Sequence, residues 1–445
     1  MRPSEQRLPL NHDILGCIMA SSPDFDTLHS SLLICKIFYS AFRTRPKGIT
    51  WEVAHNVVGS TLPQALRVLK YPYGDNTPES EPLAMAAASP ESSIPDSITA
   101  QEKHALTENS ELIQALEDIY SFTNKDRTSK TSVLTHLETL RFRRAMYRFL
   151  LYSKIFPSTA YIQFPFDDLL PHRLLKQRMA ILDVYPTEEL LELSSAVEFV
   201  RSMLDVAKKY SGDDLNEFLL STGPSGALMV WNNWNYYVLE DRVDLEFVEE
   251  EVIPPGMVDY FSTPLQKVLE ERNVLPQSTG SPTSKYILDQ VNGENDCCSQ
   301  CGAPDGLKLY CEANWHRFPS RLRNLLKVNL RSNTTIQHSF FEKALKLEYS
   351  AELGELYGDL FTLRNDTTPV FDAWKRSGSY CRRCLSRFFD EHIWIWFLNE
   401  RVKEGWTPPE NCPDGFDCRL QGKDRAHEEE KNHLCFPVNY VLSSN

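Results

Sequence analysis

"CRRCLSRFFDEHIWIWFL", residues 381–398, decides how the C-terminal third of the chain folds. Two cysteines at i and i+3 open the stretch, and Phe388, Trp394 and their bulky neighbours follow in a run that reads as a buried helix. Thiolates at a helix N-terminus gain from its positive end, and Arg382 and Arg383 add cationic charge beside them. A tetrahedral metal site needs further ligands, and Cys298-Ser299-Gln300-Cys301-Gly302 supplies a second close pair, with Gly302 allowing the positive φ of a tight knuckle. Cys298, Cys301, Cys381 and Cys384 are therefore expected to bind one metal ion and to stabilise residues 296–405. Cys311 and His316 are the rival ligands, and Cys297 reads as a bystander.

Closed across such a long insert, the two pairs resemble a treble-clef zinc site. Beyond them, "NCPDGFDCRLQGKDRAHEEEKNHLC", residues 411–435, holds three cysteines and two histidines among almost no apolar residues. Cys412, Cys418, His427 and either His433 or Cys435 suit Zn2+, and a metal would supply the folding energy a missing core cannot. The spacing is similar to the poly(ADP-ribose)-binding zinc finger, with Gly415 at that family's glycine. Asp414, however, replaces the aromatic that would stack on adenine, and Leu420 the basic residue that would meet phosphate. Glu428, Glu429 and Glu430 would repel a polyanion, so a structural CCHH-like finger over residues 406–445 is expected.

Of the eleven cysteines nine lie between Cys297 and Cys435, a clustering that favours one or two structural zinc ions over disulfides. The net charge of −14 and the lack of a Lys/Arg-rich block disfavour nucleic acid and anionic lipid as partners. No apolar run approaches the roughly 20 residues of a membrane span. With its polar opening, the protein is expected to be soluble and intracellular, in cytoplasm and/or nucleus. P-loop, dinucleotide, nucleophile-elbow and HExxH motifs are missing, and closed four-ligand sites leave no position for a reactive water, so no enzyme is expected. The carboxylate run at 239–256 reads as a solvated acidic face.

The rest of the chain reads as mainly α. Residues 1–73 suggest three or four short helices, with Thr61 as a possible cap and Pro63 in a first turn. Residues 74–105, rich in Pro, Ser, Glu and Ala, read as a disordered linker. Over 106–272 a helical domain is expected, with Leu112, Leu116 and Ile119 on one helical face. Its cleanest stripe is Leu190, Leu193, Val197, Val200, Leu204 and Ala207 behind Thr187. A loop over 273–295 leads into the cysteine-rich region.

"LPLNHDILGCIM", followed by "DTLHSSLLICKIFYSAF", resembles an F-box, the element by which substrate receptors of Skp/cullin/F-box ubiquitin ligases hold a Skp-type adaptor. With "ITWEVAHNVVG" and "LPQALRVL", it is similar to F-box-like proteins of filamentous fungi. Asn11 departs from the pattern, which has an acidic residue there. The resemblance implies that Leu8, Pro9, Ile14, Leu15, Leu28, Leu32, Cys35 and Phe38 contact the adaptor. It also implies recruitment of an unidentified target protein to a cullin complex. The alternative is a zinc-finger protein that binds nucleic acid or poly(ADP-ribose) and has no ligase role.

Overall fold

A computed structural model of the chain describes residues 11–71, 91, 97–129, 131–157, 170–204, 214–233, 236–243, 260–274, 283–315, 318, 326–348, 353–363 and 374–438. The architecture is α-helical, and among the described residues strand pairing is limited to isolated bridges such as Cys297–Pro304 and Tyr310–Tyr380. The chain packs as two compact units. One comprises Met1–Tyr120 and Val133–Gln290, the other Ser121–Ser132 and Val291–Asn445.

The first unit opens with five helices rather than three or four: α1 (His12–Ala20), α2 (Phe25–Ile34), α3 (Lys36–Thr44), α4 (Pro46–Val58) and α5 (Leu62–Lys70). The extra break falls at Cys35, whose extended backbone (φ −163°, ψ 167°) ends α2 and starts α3. Asn11 caps α1 by accepting the Ile14 N–H at 2.9 Å, and Asp24 caps α2 through Thr27 N–H at 2.6 Å. Thr61 occupies the cap position of α5 without capping it, since its hydroxyl donates to the Val58 carbonyl at 3.3 Å; Pro63 does sit in the first turn.

Helix α6 (Ala100–Tyr120) begins within the stretch read as a linker, and the side chain of Glu91 is held by Arg148. The remainder of residues 74–96 lies outside the described residues. On α6 the buried stripe is Leu106, Ile113, Leu116 and Tyr120, so Leu112 and Ile119 sit at its half-buried edge. A Thr135–Glu138 capping box opens α7 (His136–Ile155). Helices α4 and α5 pack on α6 and α7, which joins residues 1–73 and the helical middle in one unit.

Further along come α8 (Leu170–Asp183), α9 (Thr187–Leu204), α10 (Asp214–Leu220), α11 (Gly223–Asn233) and α12 (Ser262–Glu271). The α9 stripe is the core face expected: Leu190, Leu193, Val197, Val200 and Leu204 are all buried, while Ala207 lies outside the described residues. The expected loop over 273–295 contains a short 3-10 turn at Thr283–Tyr286.

In the second unit, α13 (Val328–Arg331), α14 (Thr334–Glu348), α15 (Leu353–Thr362), α16 (Arg382–Lys403) and α17 (Arg425–Glu430) surround an aromatic core. Its centre is α16, where Phe388, Phe389, Ile393 and Trp394 are buried. Trp394 packs against Phe416 and Phe436 at centroid distances of 5.3 and 4.9 Å, which joins the tail to the same core. No helix among the described residues is long and apolar enough to cross a membrane.

Candidate metal centres and the N-terminal surface

Two side-chain groups can each hold a metal ion, and they are built differently. The first is Cys298, Cys301, Cys381 and Cys384, whose sulfurs all lie within 4.8 Å of one another. Cys381 is the N-cap of α16, and its sulfur accepts the Cys384 N–H at 3.5 Å. Gly302, at φ +71°, turns the first pair: its N–H donates to the Cys298 carbonyl at 2.8 Å, and the Cys298 N–H to the Ala303 carbonyl at 2.8 Å. The halves meet through the Tyr310–Tyr380 bridge, whose two N–H···O bonds are both 2.8 Å. Knuckle, bridge and capped helix together form a treble-clef-like arrangement.

The spacing suits a tetrahedral ion. With metal–sulfur bonds near 2.3 Å, sulfurs at two vertices stand about 3.8 Å apart, and Cys301 Sγ and Cys381 Sγ are 3.8 Å apart. Burial alone would raise the Cys298 thiol, but N–H donors from Cys381, Cys301 and Gln300 bring it down to about 7. Burial and the neighbouring thiols push Cys381 and Cys384 up. Cys298 is thus biased toward the thiolate while Cys381 and Cys384 are biased toward the thiol, and a cation placed among the sulfurs would favour ionisation of both.

The second group is Cys412, Cys418, His427 and His433. Asp424 caps α17 through the His427 N–H at 3.2 Å, and the ring Nε2 of His427 lies 3.5 Å from Cys412 Sγ and 3.4 Å from Cys418 Sγ. Sulfur and imidazole nitrogen on one tetrahedral ion stand about 3.6 Å apart. His433 is 1% exposed, and among the described residues neither of its ring nitrogens has a hydrogen-bond partner. A buried imidazole with both nitrogens unbonded is costly unless one of them meets an ion.

Cys435 is not part of this group. Its thiol points at the backbone, 3.2 Å from the Asn432 carbonyl and 3.6 Å from that of Cys412, and burial pushes it up to about 11. Its carbonyl accepts the Phe416 N–H at 3.0 Å, closing the loop around Gly415. A Cβ on Gly415 (φ +47°) would lie 2.3 Å from that same carbonyl oxygen.

Cys311 is buried away from the quartet with its thiol 3.7 Å from the Arg127 carbonyl, Cys297 is exposed, and His316 lies outside the described residues. His392, on α16, is a core residue: burial drives it down to about 4, and its Nδ1 lies 2.6 Å from the Phe388 carbonyl. Of the acidic run, residues 244–256 lie outside the described residues.

Sequence reasoning missed Arg127. Its guanidinium is 1% exposed and forks among Gly306, Ser379 and Asp296, all beside the cysteine pairs. No local pattern marks an arginine whose partners lie 169 to 252 residues away.

The N-terminal apolar set divides. Leu15 and Leu28 form the hairpin's own core with Met19, Ala41, Ile49 and Val53, so they have no surface left for a partner. Leu32 and Phe38 pack half-buried against that core, Ile14 and Cys35 are exposed, and Leu8 and Pro9 lie outside the described residues. The apolar surface is made by Ile14 and Ile18 on α1 together with Leu33, Ile34, Ile37 and Tyr39, which lie outside the expected adaptor-contact set. Six of the fourteen exposed large hydrophobic side chains among the described residues fall between Ile14 and Tyr39.

Compared with known protein families, curated proteins and solved structures, the chain matches none.

Proposed function

We propose that this protein is a non-catalytic F-box-type substrate receptor, in which α1–α3 dock on a Skp-type adaptor and zinc-stabilised elements of the second unit present a target-binding surface. The observation that carries this reading is the concentration of exposed aliphatic side chains on one small helical hairpin. Leu33 is 72% exposed, Ile34 66% and Ile37 58%, around the break at Cys35, while Ile14 and Ile18 stand one turn apart on α1. Apolar side chains concentrated on a helical surface are what a helix-packed partner buries. The receptor then acts by proximity, raising the effective concentration of a target beside a ubiquitin-loaded enzyme supplied by other subunits.

The ion in both centres is Zn2+ in this reading. Four cysteines in one site and two cysteines with two histidines in the other are donor sets that zinc favours, and four protein ligands leave no open coordination position. Both ions are structural, which agrees with a receptor that performs no chemistry. Phe416 is fully buried against Trp394 and Phe436, so its ring is not open to stack on an adenine.

Co-purification with a Skp-type adaptor tests the proposal. Wild type is compared with a Leu33→Asp, Ile37→Asp variant, both positions being exposed enough to accept charge without unfolding the hairpin. A stoichiometric complex with wild type that is lost in the folded variant supports the reading. Folded wild type that forms no complex overturns it.

A further inference from the structure

We infer that Arg127 is a positioning residue for the four-cysteine centre, and that the bound ion in turn holds the Ser121–Ser132 segment in the second unit. This rests on the reading of Cys298, Cys301, Cys381 and Cys384 as a metal site. The segment is an excursion: the chain on both sides of it belongs to the first unit, yet residues 121–132 pack with residues 291–445. Five π-helical residues, Ser121–Lys125, lead into it directly from α6. The Lys125 carbonyl accepts the Asn292 N–H at 2.7 Å, and Asn292 Nδ2 donates to the Asp126 carboxylate at 3.2 Å.

The guanidinium of Arg127 reaches both halves of the cysteine quartet. On the side of the first pair, Nε donates to the Gly306 carbonyl at 3.0 Å and Nη2 pairs with Asp296, two residues before Cys298. On the side of the second pair, Nη1 donates to Ser379 Oγ at 3.3 Å, two residues before Cys381. These anchors are themselves tied across the site. The Gly306 N–H donates to the Asp296 carbonyl at 3.0 Å, and the Ser299 N–H to the Ser379 carbonyl at 2.7 Å. Ser379 N–H donates back to Ser299 Oγ at 3.0 Å. One planar fork thus clamps the two chain segments that must approach for four sulfurs to surround an ion. A buried guanidinium is stable only while all its partners are in place. Whatever draws the two cysteine pairs together therefore assembles the Arg127 cradle, and whatever seats Arg127 helps to assemble the quartet. Coupling of this kind is reciprocal: the ion and the segment must favour each other to the same extent.

The test uses the full chain and two readouts. Zinc affinity is measured by competition with a chromophoric chelator for wild type, Arg127→Met and Arg127→Lys. Amide hydrogen exchange of residues 121–129 is followed in zinc-loaded wild type and in a Cys301→Ser variant that disables only the first centre. Arg127→Met should weaken one of the two zinc sites about 10-fold, the lower end of the range for outer-shell partners because Arg127 acts through Asp296, Gly306 and Ser379 and touches no sulfur, and leave the tail site unchanged. Arg127→Lys, which keeps the charge but loses the fork, should fall between. Cys301→Ser should speed exchange of residues 121–129. Unchanged zinc affinity in folded Arg127→Met, or unchanged exchange in Cys301→Ser, would overturn the inference; if Arg127→Met does not fold, the exchange arm decides alone. Wild type that binds zinc only at the tail would overturn the metal reading of the first centre and this inference with it. Zinc at both sites without coupling sinks the inference alone.

Discussion

At the scale of single residues, the tail turns on His433 and Cys435, two positions apart and both chemically able to bind metal. The structure separates them by what each side chain already has: Cys435 bonds to backbone carbonyls, whereas His433 is buried with neither ring nitrogen bonded among the described residues. Elemental analysis should find two zinc ions per chain in wild type and in Cys435→Ser, and one in His433→Ala; a lost ion in Cys435→Ser would reverse the assignment. Gly415 faces a harder limit, since an alanine there needs a positive φ and meets the Cys435 carbonyl. The backbone term alone costs about 1–2 kcal/mol, so Gly415→Ala should lower the thermal midpoint of the zinc-loaded protein by several degrees. His392 makes a pH prediction. Its folded-state value is depressed from 6.5 to about 4, so the unfolded chain binds its proton first as pH falls. The stability tied to this residue is present above 6.5 and is lost between 6.5 and about 4, on the order of 3 kcal/mol in all. Stability measured against pH should therefore fall less steeply across that window in His392→Gln than in wild type, and equal slopes would clear His392 of the role.

Helices show how much of each element was legible locally. The buried run on α16 and the α9 stripe are periodicities that a linear reading detects, because each depends on side chains three and four residues apart. Breaks and caps are less visible. Nothing in "LLICKIF" announces that Cys35 leaves the helix, and Glu428, read as part of a repelling acidic loop, in fact caps α14 by accepting from Thr334 and Thr335 at 2.9 and 3.2 Å. On α16, Trp394 joins helix to tail through Phe416 and Phe436. Truncating such a buried ring costs about 3–5 kcal/mol, so Trp394→Ala should destabilise the second unit by that order in denaturant unfolding. It should also weaken zinc retention by the tail, although no ligand is altered. A variant that unfolds like wild type would show that the tail does not depend on this contact.

For the whole molecule, apolar stripes and Cys/His groups are unevenly divided. The first unit buries continuous stripes on α6, α7 and α9 and, among the described residues, has neither of the two Cys/His groups. The second combines its aromatic cluster with both Cys/His groups. Chelation should therefore act unevenly: hydrogen exchange should rise sharply over residues 374–438 while α9 stays protected. Uniform loss of protection would mean that the two units unfold together.

By itself the sequence determined the α class, the two cysteine pairs and most of the tail's Cys/His group, because helical periodicity and C-x2-C spacing are written between neighbours in the chain. Only the tertiary structure decided that Leu15 and Leu28 face inward while Leu33 and Ile37 face out. It likewise decided that His433 rather than Cys435 completes the second group, and that Arg127 crosses 169 residues to reach Asp296. Each of those outcomes depends on which distant groups remove a side chain from water, and burial is a property of the packed molecule, not of any local stretch.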